Sequence, residues 1–228
     1  MKAPKVSVAK CVVPVLTRAE LYNLSNDPDV DVIEIYLDNM GAIDSEFLSI
    51  LTNSKKLQIA TSRVPKFAQT VYSQAEQIER FSKLYDYVDY FDFDVIQEAL
   101  LIDNFIQKFS THKLICSYHN YTVAPSKSVI DSIVDTMCKL TPKICKLAWI
   151  CQLDEDLTEM INLALSFKSK NIKFALSPMG NLGVAGRMVL SVCGMEFVYC
   201  TNGTTVTANG QITIDQCKNF ISSLGLSR

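Results

Sequence analysis

Short apolar runs alternate with amphipathic stretches along the chain, and this alternation predicts its elements. Eight runs read as strands: Lys5–Val13, Asp31–Leu37, Leu57–Ser62, Tyr87–Phe93, Lys113–Ser117, Ile144–Ile150, Ile172–Ser177 and Glu196–Cys200. Most are apolar at consecutive positions, as strands of a parallel sheet buried on both faces are. Between them the period changes to that of a helix. Thr17 with Glu20 forms a capping-box signature ahead of Leu21 and Leu24. Ile130, Ile133, Val134 and Met137 share one helical face, as do Leu157, Met160, Ile161 and Ala164, the latter helix opened by Asp154. Strand–helix alternation with short connections and no linker fits a closed barrel or a doubly wound sheet, and eight repeats favour the barrel. The expectation is an α/β fold, a (β/α)8 TIM barrel forming a single domain over residues 1–228.

Length and composition agree with that picture and narrow the function. The 228 residues suit one domain of this kind. With 48% apolar and 20% charged residues, the chain can bury a sizeable core. A net charge of −2 and no basic run beyond a lysine pair argue against a nucleic-acid or anionic-membrane partner. The apolar run Val6–Leu16 is interrupted by Lys10 and Pro14, too short to cross a bilayer and without a secretory cleavage pattern, so a cytoplasmic protein is expected. Of eight cysteines, Cys11, Cys116, Cys145, Cys151, Cys193 and Cys200 lie in or beside apolar runs, and no Cys-x-x-Cys pair or Cys/His cluster occurs in sequence. Reduced, mostly buried thiols with no metal are the reading.

Chemistry in such barrels sits at the C-terminal ends of the strands, so polar residues that interrupt or end the runs are the candidates. Lys146 lies inside the apolar stretch Ile144–Ile150. An ammonium there either pairs with a carboxylate or snorkels from the strand edge, or else loses its proton readily and serves as a nucleophile toward a ketone. His119 stands where the fifth run meets a loop, whereas His112 precedes that run, at the wrong end of a barrel. Glu34 is flanked by apolar residues and Arg63 follows the third run; Asp92 and Asp94 are two apart and share one strand face. After the seventh run, glycines from Gly180 to Gly186 lead to Arg187, which can fix a carboxylate in fork geometry.

In their order along the chain these segments resemble type I 3-dehydroquinate dehydratase. Val32-Ile-Glu-Ile35 resembles the family's second-strand glutamate motif, and Ile59-Ala-Thr-Ser-Arg63 its third-strand arginine. Ser117-Tyr-His-Asn-Tyr121 resembles its Ser-x-His-Asp-Phe segment, with a proline match at Pro125, and Lys146-Leu-Ala-Trp149 its lysine strand. Met179-Gly180 through Gly186-Arg187 resembles the segment ending in Ser-Arg, and Ala208-Asn-Gly-Gln-Ile212 an Ala-Pro-Gly-Gln-Ile lid, placed at about residues 201–211.

The resemblance implies dehydration of 3-dehydroquinate to 3-dehydroshikimate, a shikimate-pathway step in aromatic amino acid biosynthesis, with no cofactor and no metal; the family includes homodimers. Lys146 would form the imine and His119 would move protons. Arg187, Gln211 and Thr207 would hold the substrate carboxylate. Glu34 and Arg63 would meet ring hydroxyls, Asp92 would lie near the lysine, and Met179 and Tyr36 would support the site. Tyr36 stands where the family has a substrate-binding arginine, and Phe67 where it has the acid that orients the histidine. Asn120, Thr207 and Asn209 replace an aspartate, a serine and a proline. These departures motivate a second reading, a catalytically impaired barrel that binds or scaffolds, and the glycine-rich stretch a third, a class I aldolase acting on a sugar phosphate.

Overall fold

A computed structural model describes residues 7–62 and 70–226. Its strands are β1 (Lys10–Val15), β2 (Val32–Tyr36), β3 (Leu57–Thr61), β4 (Tyr90–Asp94), β5 (Leu114–Asn120), β6 (Ile144–Ile150), β7 (Phe174–Met179) and β8 (Phe197–Thr201). The helices are α1 (Arg18–Ser25), α2 (Ser45–Asn53), α3 (Gln74–Leu84), α4 (Ala99–Lys108), α5 (Lys127–Lys139), α6 (Asp154–Ser169), α7 (Gly183–Ser191) and α8 (Ile214–Ser223), with a two-residue strand β9 (Ile212–Thr213) before the last. Each strand from β1 to β6 pairs in parallel with the next, and β8 pairs with β1. A backbone bond of 2.8 Å from Glu196 N to Phe174 O ties the start of β8 to β7 and closes the ring. The chain folds as the TIM barrel expected from its sequence.

The barrel interior is layered. Val12, Val32, Ile59, Ile115, Ile144, Ala175 and Phe197 form an apolar floor. Because strand residues two apart share a face, the next inward layer is Glu34, Thr61, Asp92, Ser117, Lys146 and Ser177. All six are buried. Polar groups therefore converge above the floor, toward the C-terminal mouth. Outward-facing residues pack under the helices, with Phe81, Phe93 and Phe105 meeting at centroid distances of 5.0–5.1 Å.

The expected strands differ from the observed ones at their ends. β1 runs through Pro14, which lacks an N–H; β8 pairs only with Lys10–Val12, so no ladder bond is lost there. Tyr87 and Val88 do not begin β4, because their N–H groups donate to Leu84 O and close α3. β5 continues three residues beyond Ser117, so His119 belongs to a strand and not to a loop. Thr17 and Glu20 form the expected capping box. Asp154 does not cap α6; Asp156 Oδ2 instead accepts the Gln152 and Leu153 N–H groups, each at 2.9 Å. Among the described residues no helix is long and apolar enough to cross a membrane.

Candidate active site

Lys146 owes its reach to small neighbours. In the ladder it lies beside Ser117 of β5 and Ala175 of β7, which leaves its side chain room to cross the barrel. Its Nζ donates to Asp92 Oδ2 at 2.7 Å and to Glu34 Oε1 at 2.9 Å, all three side chains being at most 5% exposed. The Tyr199 ring centroid is 3.9 Å from the same nitrogen, a cation–π contact on a further side. The lysine is thus buried and paired: Asp92 is beside it as expected, and Glu34, expected on ring hydroxyls, here bonds the amine.

His119 sits one layer nearer the mouth, two residues past Ser117 and opposite Ala148. Its Nδ1 is 3.1 Å from Asp94 Oδ2. Asp94 Oδ1 accepts the N–H groups of Ile96 and Gln97 at 3.0 and 3.1 Å. Burial works against the Asp94 anion, but the hydrogen bond and charge of His119, with these amides, outweigh it and hold the carboxyl below its ordinary value of 3.8. Asp94 accordingly adds stability above that pH, and the contribution is lost as pH falls through its lower folded-state value. Phe67 stands where the family has its orienting acid, and here an acid from β4, Asp94, lies against His119 instead. Phe67 itself, like Arg63, lies outside the described residues.

Arg187 enters from α7 and is 1% exposed. Its Nε donates to Pro178 O at 3.1 Å and its Nη1 to Tyr199 O at 3.0 Å. Burial pushes its guanidinium down to about 10, so it remains charged at neutral pH. No carboxylate among the described residues pairs with it. A buried cation answered only by carbonyl dipoles is poised for an anion.

Lys146, His119 and Arg187 share one cavity, lined also by Glu34, Tyr36 and Met179 and roofed by Thr207, Ala208 and Gln211. In the roof, Gln211 Nε2 donates to Cys200 O at 2.8 Å while its Oε1 accepts the Thr207 N–H at 2.9 Å. The expected lid is therefore tied to β8 across the mouth. Tyr121, Ala148, Ser177 and Tyr199 also line the cavity and were not singled out from the sequence. For Tyr199 a signal existed: it lies two residues after Phe197 and shares its inward face.

Gly210 joins the roof to the barrel. Its φ is +77°, and a Cβ there would come within 2.8 Å of Gly180 O and Gly183 Cα, both backbone atoms. Gly210→Ala is expected to lift the roof and weaken ligand affinity about ten-fold, since small displacements of positioning groups carry large penalties. A calorimetric titration would measure it, with the fluorescence of the single tryptophan, the fully buried Trp149, checking that the fold persists.

One group of metal-ligand atoms also converges elsewhere. The buried thiols of Cys11, Cys200 and Cys217 lie within 4.8 Å of one another, a cluster that the sequence spacing did not suggest. Hydrogen bonding to Cys11 and Cys217, together with burial, pushes the Cys200 thiol up, so it packs as a neutral group.

A family model described as type I 3-dehydroquinase matches residues 16–228. A 3-dehydroquinate dehydratase of Streptococcus pyogenes (serotype M5, strain Manfredo) is 31% identical over 144 residues, which cover 60% of this chain and 58% of that protein. The match thus spans less than two thirds of such curated relatives. Among solved structures, the type I 3-dehydroquinate dehydratase of Clostridium difficile superposes with a TM-score of 0.78 at 19% identity, covering 96% of this chain and 92% of that one. The 3-dehydroquinate dehydratase of Geobacillus kaustophilus gives 0.76 at 19% identity over 98% and 97%. At these identities the structural likeness speaks for the fold.

Proposed function

The chain belongs to the type I 3-dehydroquinase family, and on that premise we propose that it is a lyase that dehydrates 3-dehydroquinate to 3-dehydroshikimate through an imine on Lys146. The observation that carries this reading is the meeting, in one cavity, of Lys146, His119 and the cation Arg187, which no carboxylate among the described residues pairs with.

The chemistry follows from the placement. To attack a ketone, the lysine must shed a proton, and the Asp92 oxygen 2.7 Å away can take it. Condensation expels one water and leaves an iminium whose charge Glu34 and Asp92 stabilise. With Nδ1 facing Asp94, the other imidazole nitrogen removes the proton from the carbon beside the iminium. The resulting enamine expels the hydroxyl on the next carbon, which takes that proton from His119 and leaves as water. A water molecule then hydrolyses the imine, freeing the enone and regenerating the amine. The imine itself is the electron sink, so the scheme calls for no cofactor.

In the same reading Arg187 holds the substrate carboxylate, helped by the second N–H of the Gln211 amide and the Thr207 hydroxyl. Tyr36 and Met179 flank the ring, and Arg63 is assigned to ring hydroxyls from the resemblance alone. Closure of the roof excludes water and strengthens the ion pair.

Borohydride reduction in the presence of dehydroquinate tests the proposal. A mass increment on the Lys146 peptide is expected, together with ultraviolet absorbance of the conjugated product. Absence of both would sink it. Tyr36 at the mouth, a neutral hydroxyl where the family has a guanidinium, favours the second reading of a binding barrel. Saturable dehydroquinate binding without adduct or product would select that reading.

A further inference from the structure

We propose that Asp94 is the positioning residue for His119, replacing from β4 the acid that the substitution at Phe67 removes. This inference rests on the dehydratase reading for its catalytic consequence and on geometry alone for its structural part.

The contact is built from both sides. Asp94 ends β4 opposite Ser117, so its side chain lies next to the inward residue that follows Ser117 on β5, which is His119. Two bonds fix the carboxylate in that place, from the Ile96 and Gln97 amides to Oδ1, and the Asp94 backbone is held by its own N–H, which donates to Glu98 Oε2 at 2.6 Å. Only Oδ2 is left to face the imidazole, at 3.1 Å. Asp94 and His119 side chains are 7% and 9% exposed, so solvent screens the contact little.

A single tautomer follows. A carboxylate held below its usual range is ionised at neutral pH and has no proton to donate, so Nδ1 must carry the shared hydrogen. Nε2 then holds the lone pair and is the nitrogen that exchanges protons. When it accepts one, the Asp94 charge stabilises the imidazolium, the division of labour familiar from hydrolase triads. Among the described residues, the other charged groups lining this cavity are Glu34 on β2, Lys146 on β6 and Arg187 on α7, with Asp92 bonded to Lys146 and Glu98 behind Asp94.

The test is NMR titration of the ring signals, simplified because the chain has two histidines and His112 is exposed before β5. In the unmodified protein, nitrogen shifts should report the Nδ1–H tautomer for His119. In Asp94→Asn the His119 midpoint should fall by about one pH unit, the scale for losing an adjacent opposite charge, while His112 stays put. With dehydroquinate, kcat should drop by roughly a hundred-fold and KM change by less than about two-fold, and Asp94→Glu should recover part of the loss. An Nε2–H tautomer in the unmodified protein, or a His119 midpoint unmoved by Asp94→Asn, would overturn the proposal. If the unmodified protein fails to turn over dehydroquinate, the dehydratase reading falls by itself, and the nitrogen shifts still decide the role of Asp94.

Discussion

Lys146→Ala is expected to abolish turnover of dehydroquinate, by about 10⁵-fold or more, because a covalent mechanism has no partial substitute for its nucleophile. Borohydride trapping should vanish with it. The substitution also has a structural cost that must be separated from the chemical one. Asp92 and Glu34 would face each other across the barrel with no cation between them, both essentially unexposed. Breaking a buried ion pair from one side typically costs about 3–5 kcal/mol, so the variant should unfold at distinctly lower denaturant. Lys146→Arg separates the two effects. It keeps a positive charge near both carboxylates but offers no amine that can be neutral at working pH. It should lie closer to the unmodified protein in stability while remaining inactive. Trp149, buried on the same strand as Lys146, reports unfolding in each case. Retained turnover in Lys146→Ala would remove the imine from the mechanism.

The same residues show how far sequence carries. Lys146 and Asp92 were legible because a charge inside an apolar run has few explanations, and both proved to belong to one buried cluster. Strands such as β2 and β6 were legible because they are buried throughout most of their length. What periodicity cannot supply is register between strands. That Asp94 meets His119 depends on β4 and β5 being aligned with Asp94 opposite Ser117, and a shift of two residues would separate them. Phe67 taken alone therefore says nothing of an acid that another strand brings to the imidazole. The expected β5 stops at Ser117 for a related reason: His119, which lines the cavity, and Asn120 are polar, although Tyr118 between Ser117 and His119 still packs on the core. Pairing of Glu34 with Lys146 likewise spans the barrel, 112 positions apart in sequence, and becomes visible only once the ring is closed.

Arg187 gives the second large effect, expected on affinity before rate. Arg187→Met should raise KM for dehydroquinate by about 10²- to 10³-fold, the range for removing one partner of a desolvated charge pair. The guanidinium is 1% exposed, keeps its charge and, among the described residues, donates to Pro178 O and Tyr199 O. An incoming carboxylate would supply the missing counter-charge in a site whose roof excludes water. Methionine fills the space of the side chain stem but withdraws the bonds now made to Pro178 O and Tyr199 O, at about 1–3 kcal/mol each. Arg187→Lys keeps the charge and loses the fork, so it should fall between the two, with affinity recovering more than stability. Isothermal titration with dehydroquinate reads the affinity, and denaturant titration the stability. The readings part over a ligand that lacks the carboxylate. If Arg187 binds that group, such an analogue is weak against the unmodified protein and loses little further affinity in Arg187→Met. Equal losses for both ligands would mean that Arg187 only braces β7 against β8, and the anion site would have to be sought elsewhere in the mouth.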